Sequence, residues 1–316
     1  MAKTENKNGY SGRGLRNSKL KDSFKNGNLK GLLDIVRNDD EMIFQIRENY
    51  VNIYYQGGCL AKIGERSIQF DENFFMNAET KKDGWDHEKC LKKKKEWLEK
   101  LKEDKDYEKY VVNMKEIMEK HWDWLRNRPK DRRDYSEKNV QQLLCASNKE
   151  DSDYTIIDLE FEVSINSGYK YLKTDNDRDC RNDKKPRFDI IAVRNIDKQL
   201  CVIELKCGTG ALQGDAGLKD HADSFEGTIK RNPASFVEEI KKIVEDKKYL
   251  ELLSEDFSIS EKDPEFMFAF VASDKEKEEQ EWAEMIKQMR EQNCTMYKVM
   301  KLETDGNYRL GNECRV

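Results

Sequence analysis

The chain has 316 residues, of which 38% are charged and 37% hydrophobic, and its formal net charge is −5 at neutral pH. This composition predicts a folded protein with long solvated helices around a modest core, and it excludes a chain that is disordered throughout. The negative charge also argues against a general nucleic-acid coat protein, whose affinity depends on many contacts between basic side chains and phosphates.

The first segment of the chain is polar and rich in Gly, Asn and Lys, which predicts a mobile basic tail over 1–27. It lacks the apolar stretch of a secretory signal, and no run in the chain approaches the roughly 20 apolar residues of a membrane helix. We therefore expect a cytoplasmic protein without a membrane partner. The eight cysteines are scattered and form no CxxC pair, which is typical of reduced thiols rather than of a zinc site.

Two regions follow before the middle of the chain. Short β-rich runs separated by turn residues predict a small β-rich region over 28–85. Apolar residues then recur at helical spacing among lysines and glutamates, which predicts a long amphipathic helical segment over 86–133. The apolar positions keep no strict heptad, so this segment is expected to pack against its own domain. A pure interaction protein built on the same helix is the alternative.

A basic run closes the helical segment, with five basic residues and one acid between positions 126 and 133. Such a cluster either contacts nucleic-acid phosphates or forms a solvated loop. The candidate nucleic-acid-binding residues are Arg126, Arg128, Lys130, Arg132 and Arg133.

The remaining residues, 134–316, predict an α/β domain. A helix is followed by three strands, TIIDLEFEVSI, RFDIIAVR and QLCVIELKC, and then by a glycine-rich loop and further helix. An apolar strand, EFMFAFVAS, another helix and a last hairpin of CTMYKVMKL and NYRLG complete the order. This order indicates a mixed central β-sheet flanked by helices.

Two of the predicted strands carry acids and a lysine among apolar neighbours. A loop of two or four residues centred between Ile196 and Asp197 puts Asp189 directly opposite Glu204, with about 4.5 to 5.5 Å between their Cβ atoms. A slip of one residue would put the two acids on opposite faces of the sheet. An even loop length is therefore a requirement of any site formed by this pair.

Paired carboxylates of this kind call for a positive partner, because they repel each other unless a cation or a proton lies between them. Mg²⁺ fits, since it binds one or two carboxylates together with waters and phosphate oxygens, and Mn²⁺ is an alternative. The ion would polarise a phosphodiester and lower the pKa of a bound water. Lys206, on the same face as Glu204, would orient that water or neutralise charge on the phosphate. The simpler alternative is an ordinary strand edge with a cross-strand pair.

The order of these features resembles the PD-(D/E)xK nuclease superfamily over about residues 134–275. The residues that carry the resemblance are Glu137 on a helix, Glu160 and Glu162 on a strand, then Asp189, and then Glu204, Leu205 and Lys206 before the glycine-rich loop. The resemblance implies a restriction-endonuclease-like fold and Mg²⁺-dependent hydrolysis of phosphodiesters.

The resemblance also implies roles for individual residues. Asp189, Glu204 and the carbonyl of Leu205 would bind the metal, and Lys206 would be the catalytic lysine. The chain departs from the family pattern at Pro186, which lies three residues before the aspartate instead of directly before it.

The other acids have simpler interpretations. Glu160 and Glu162 are auxiliary metal-ligand candidates, although their alternation is equally typical of a half-exposed strand. Glu137 lies three residues after Asp134, and a capping box is the favoured interpretation for it. His221, on the helix after the glycine-rich loop, could touch substrate, although a surface histidine is more common.

The sequence thus predicts a metal-dependent nuclease acting on nucleic acid, with DNA favoured over RNA. The alternative is a non-catalytic nucleic-acid- or protein-binding module on the same fold. The oligomeric state stays open, a dimer included.

Overall fold

The computed structural model describes residues 13–75, 87–104, 106–126, 132–163, 186–214, 217–302, 308–311 and 313–316. The chain divides into two compact units. The small-sheet unit comprises Gly14–Ala146 and Asp246–Leu252. The large-sheet unit comprises Met1–Arg13, Ser147–Glu245 and Leu253–Val316.

The small-sheet unit begins with two short helices, α1 (Ser18–Lys25) and α2 (Lys30–Arg37). Helix α1 lies within the segment predicted as a mobile tail, so the structure differs from the expectation there. The side chain of Asn17 caps the helix by accepting from the amide of Lys19 at 2.9 Å. Leu20 and Phe24, one turn apart, are buried, and this apolar pair anchors a helix that is otherwise polar.

Four antiparallel strands follow in the order β1 (Met42–Ile46), β2 (Val51–Tyr55), β3 (Gly58–Gly64) and β4 (Ser67–Gln69). They correspond to the predicted β-rich runs. Alternating burial along β2, where every second residue is buried, gives the sheet one face on a core.

The predicted amphipathic segment forms two helices, α3 (His87–Asp104) and α4 (Tyr107–Arg126), and α5 (Arg132–Ser147) follows. The apolar face of α4 is buried through Tyr110, Met114 and Met118, which recur at a spacing of four. The hydroxyl of Tyr110 donates to the carbonyl of Leu60 on β3 at 3.2 Å. This helix therefore packs on the small sheet, as expected from the lack of a heptad.

Within the described residues, the large-sheet unit contains six strands, two whole α-helices and most of a third, whose last four residues are assigned to the small-sheet unit. In chain order they are β5 (Tyr154–Glu162), β6 (Arg187–Arg194), β7 (Gln199–Cys207), α6 (Leu218–Gly227), α7 (Pro233–Tyr249), β8 (Glu265–Val271), α8 (Glu278–Glu291), β9 (Lys298–Leu302) and β10 (Cys314–Arg315). The sheet order is β10-β9-β8-β7-β6-β5. Strand β8 is parallel to β7 and β9, whereas the other neighbours are antiparallel. The predicted mixed sheet with helices is thus present.

The last strand differs from its prediction. The NYRLG run was expected to pair as a strand, but residues 308–311 form none. Cys314 and Arg315 pair with β9 instead, opposite Val299 and Lys298.

Aromatic rings join the helices to the large sheet. Phe236 of α7 contacts Phe161 of β5 edge-on at 5.3 Å between ring centroids. Phe225 of α6 stacks on Phe266 of β8 at 5.0 Å. Each fully buried ring contributes about 1.5 to 3 kcal/mol of hydrophobic stabilisation, so these contacts fix α7 on β5 and α6 on β8, the two strands that flank β6 and β7. No helix in the described ranges is long and apolar enough to cross a membrane.

Candidate active site

The hairpin of β6 and β7 has the register that a two-acid site requires. Its loop holds four residues, 195–198, and the paired residues run from Arg194 opposite Gln199 to Ile190 opposite Ile203. Continuing this register by one step would put Asp189 opposite Glu204. The predicted even loop is confirmed.

The loop is held by an ion pair at its base. Arg194 donates from Nε and Nη2 to the two carboxylate oxygens of Asp197, each at 3.1 Å. This guanidinium holds the pKa of Asp197 well below its usual value. A bidentate contact of this kind fixes the turn, and the turn in turn sets the pairing register of the two strands.

Asp189 is tied to the opposite strand by its side chain. Its Oδ2 accepts a hydrogen bond from the backbone amide of Leu205 at 2.8 Å. Burial, and then the negative charge of Glu204, raise the pKa of Asp189 well above its ordinary value, against the opposing effects of Lys206 and the Leu205 amide. A carboxyl group in this position is stabilised when it binds a proton or a cation.

Glu204 is buried together with a cationic partner. Glu204 and Lys206 are each only 3% exposed, so both charges have left bulk water. The Nζ of Lys206 donates to Oε1 of Glu204 at 3.1 Å. Breaking such a buried pair is costly, because the charge left behind is uncompensated.

A third side chain reaches the same oxygen. The Nε2 of His221 lies 3.0 Å from Oε1 of Glu204. His221 is the fourth residue of α6, and the sequence suggested only a possible contact with substrate, a surface histidine being more common. Lys219, on the same helix, pairs with Asp223 at 2.9 Å. The sequence signal for His221 was its position on the helix after the strand with Glu204; its contact depends on how that helix packs.

The exit from β7 requires a glycine. Gly208 has φ +72, and a Cβ there would lie 2.7 Å from the Cβ of Ser273. Its amide donates to the carbonyl of Val271 at the end of β8. The chain can therefore turn off the sheet directly after the strand that carries Glu204 and Lys206, which leads it toward α6.

No protein-family model matches the chain, and no curated protein or solved structure matches it significantly. The geometry of the site therefore carries the functional conclusion.

The donor set fits a hard divalent cation. Asp189 and Glu204 supply two neighbouring carboxylates, and Mg²⁺ takes one or two of these and completes its shell with water and phosphate oxygens. Within the described residues, no three His, Cys, Asp or Glu side chains are grouped as a metal site. Such a cation would therefore be held by few protein ligands, with the Leu205 carbonyl as the further predicted one.

The predicted auxiliary acids have other surroundings. Glu160 has φ +48, and its carboxylate lies 3.9 Å from Nη1 of Arg187. Glu162 is exposed and pairs with Arg187 across the strands. Glu137 is on α5 in the small-sheet unit, whereas Asp189 is in the large-sheet unit. Within the described residues, contacts thus join Asp189, Glu204 and Lys206. The auxiliary roles of Glu137, Glu160 and Glu162 stay predictions.

The basic run falls mostly outside the described residues. Arg128 and Lys130 lie there entirely. Arg126 is the last residue of α4, and Arg132 and Arg133 begin α5, but their side chains are not among those described. Their role as phosphate contacts stays a prediction.

The sequence missed a buried ionic cluster in the same unit. Arg13 forms an ion pair with Asp158, which is 0% exposed, and its Nη2 donates to the carbonyl of Glu160 at 3.1 Å. The amide of Arg13 donates to Oε1 of Glu239 at 3.0 Å. Burial raises the pKa of Glu239 to about 7. No local pattern predicts these contacts, because 145 residues separate Arg13 from Asp158.

Proposed function

We propose that the protein is a metal-dependent nuclease of the PD-(D/E)xK type that hydrolyses phosphodiester bonds, with DNA favoured over RNA. The observation that carries the proposal is the hydrogen bond from the Leu205 amide to Asp189, next to the buried pair of Glu204 and Lys206. The mixed sheet with flanking helices is compatible with the restriction-endonuclease-like fold that this function implies.

In this proposal Asp189 and Glu204 hold Mg²⁺, which supplies a Lewis acid and a bound water of lowered pKa. Both carboxylates are positioned by the chain itself: Asp189 by the Leu205 amide, and Glu204 by its two nitrogen neighbours. Positioning before substrate arrives is worth a large share of a catalytic effect, because no reorganisation is then needed.

Lys206 has two tasks in the same proposal. Its ammonium offsets the charge of Glu204, and it can donate to a phosphate oxygen as negative charge accumulates there. Lysine carries three donors on one nitrogen, so one ammonium can contact a carboxylate and a phosphate oxygen at the same time. This requirement for a cation explains why a lysine is buried among apolar strands.

The test uses four substrates: single- and double-stranded DNA and single- and double-stranded RNA, each with Mg²⁺ or with chelator. We expect cleavage with Mg²⁺ and none with chelator, and a loss of activity in Asp189→Ala and Lys206→Ala. Asp263→Ala and Lys275→Ala, which change exposed residues of the same types, serve as matched controls and should cleave normally.

Activity that survives either site substitution would overturn the proposed site. Binding of nucleic acid without cleavage by a folded wild-type protein, under every metal condition, would favour the non-catalytic module instead.

A further inference from the structure

A second feature of the chain lies entirely within the small-sheet unit. An open cleft of about 460 Å³ is formed where α3 and α4 meet. Its lining residues are Phe75, Lys93, Glu96, Trp97, Lys100, Asn113, Glu116, Ile117 and Lys120. This volume lies in the range of roughly 300 to 1,000 Å³ that holds small ligands or single monomers of a polymer.

The lining follows from helical spacing. On α3 the lining residues recur at steps of three and four from Lys93 to Lys100, and on α4 they do so from Asn113 to Lys120. Residues at these steps share one face of a helix. Each helix therefore presents one face to the cleft, with three polar residues and one apolar or aromatic residue, and Phe75, which is 3% exposed, adds a further apolar contact.

Three lysines surround the cleft without acidic partners. Lys93, Lys100 and Lys120 are exposed, and none of them forms an ion pair with a residue that the structure describes. Glu96 and Glu116 also line the cleft, so the lining carries one net positive charge. Lysines left unpaired in a chain of net charge −5 give this cleft a local preference for anions.

An aromatic ring and an amide line the same cleft. Trp97 is half-buried, and it makes no ring contact with any described aromatic or cationic side chain. The side chain of Asn113 forms no hydrogen bond within the described ranges, so its side-chain amide can still donate and accept. An indole face beside lysines is the combination that takes a nucleobase by stacking and its phosphates by charge.

We propose that this cleft binds single-stranded nucleic acid, with a base on Trp97 and Asn113, and flanking phosphates on Lys93, Lys100 and Lys120. A single strand is the occupant that fits, since a duplex hides its base faces within the stack. The proposal goes beyond the cleavage chemistry and does not require it, because binding is measured with chelator present.

The test measures fluorescence anisotropy of a 5′-labelled single-stranded DNA of 12 nucleotides, and of an RNA of the same sequence, over a series of salt concentrations. Trp97→Leu removes the stacking surface, and we expect it to weaken binding at least about fivefold. Lys100→Ala with Lys120→Ala removes two phosphate contacts, and we expect the slope of log K against log salt to fall by about 1.4.

A matched control changes the same helices away from the cleft. Lys95→Ala with Lys109→Ala alters one exposed lysine on α3 and one on α4, so its net charge equals that of the cleft variant. We expect it to bind like the wild type. Circular dichroism establishes that each variant is folded, and the lysine pair keeps the test decisive should Trp97→Leu fail to fold.

Three results would overturn the proposal. The control pair could weaken binding as much as the cleft pair, which would indicate a diffuse charge effect. A folded Trp97→Leu could bind normally. Polyglutamate could displace the strand at an equal concentration of charge, which would indicate a site for acidic peptides. Asp189 variants that no longer cleave but still bind the strand at the cleft would support this proposal independently of the cleavage site.

Discussion

The backbone amide of Leu205 donates to the side chain of Asp189 across 2.8 Å, and this bond ties β6 to β7 just beyond their last paired residues, Ile190 and Ile203. The bond directs one carboxylate oxygen of Asp189 toward β7, at the residue that follows Glu204. A cation between the two acids would therefore meet carboxylates that are already oriented. This relation leads to a first prediction that needs no substrate.

Mg²⁺ should stabilise the folded protein. A ligand that binds the native state alone raises the free energy of unfolding, by about 2.7 kcal/mol at a hundred times its dissociation constant. We expect the thermal midpoint of the wild type to rise with Mg²⁺, and that of Asp189→Asn to stay constant. Asp263→Asn is the control and should respond like the wild type. An equal rise in all three proteins would place the cation elsewhere.

His221 should affect the metal requirement through Glu204. Because its Nε2 lies 3.0 Å from Oε1 of Glu204, His221 is a positioning residue in this account. Partners of metal-binding side chains typically change metal affinity or activity by about 10- to 100-fold. We expect His221→Asn to need about tenfold more Mg²⁺ for half-maximal cleavage, and Lys219→Ala to need the same amount as the wild type. An unchanged Mg²⁺ titration for His221→Asn would refute this role.

Arg13 should be essential for the stability of the large-sheet unit. It compensates Asp158, which is fully buried, and its guanidinium lies 4.3 Å from the centre of the Phe161 ring. Removing one member of a buried ion pair costs about 3 to 5 kcal/mol. We expect Arg13→Ala to lower the free energy of unfolding in urea by about 3 kcal/mol.

The control for this prediction is Arg187→Ala, since Arg187 is 61% exposed and lies 3.9 Å from Glu160. Exposed pairs contribute little, so we expect a change below about 1 kcal/mol. Equal losses in the two variants would contradict the importance of the buried pair.

Glu239 should make stability depend on pH. Its pKa is about 7 in the folded protein against 4.5 for the free side chain, so the folded state holds the proton more tightly. Stability from this group is therefore greatest below pH 4.5, falls as the pH rises to 7, and is level above that. The total loss is up to about 3 kcal/mol.

Comparison of the wild type with Glu239→Gln isolates this effect, since an amide oxygen can still accept from the Arg13 amide. We expect the difference in unfolding free energy between the two proteins to shift between pH 4.5 and 7. A difference that is constant over this range would show that Glu239 does not carry the dependence.

The sequence predicted the hairpin well because its determinants are local. Side-chain alternation, an even loop near Asp197 and apolar neighbours were enough to predict the register, and the pairs up to Ile190 opposite Ile203 agree with it. The long strands of the large sheet were equally visible, because continuous apolar runs bury both faces of a strand.

Other features depend on contacts between distant segments, and local patterns do not contain them. Helix α1 has only Leu20 and Phe24 as apolar anchors, so its polar composition indicated a tail. The approach of His221 to Glu204 depends on the packing of α6, and the pair of Arg13 and Asp158 joins residues far apart in sequence. These contacts arise from the tertiary fold alone.

The most direct test of the central claim is the single-turnover rate of phosphodiester cleavage with saturating Mg²⁺, for the wild type and for Asp189→Asn. The substitution keeps the size of the side chain and an acceptor for the Leu205 amide, while it removes the charge that holds the cation. We predict Mg²⁺-dependent cleavage by the wild type and a loss of at least about a hundredfold in the variant. Equal rates in the two folded proteins would contradict the account.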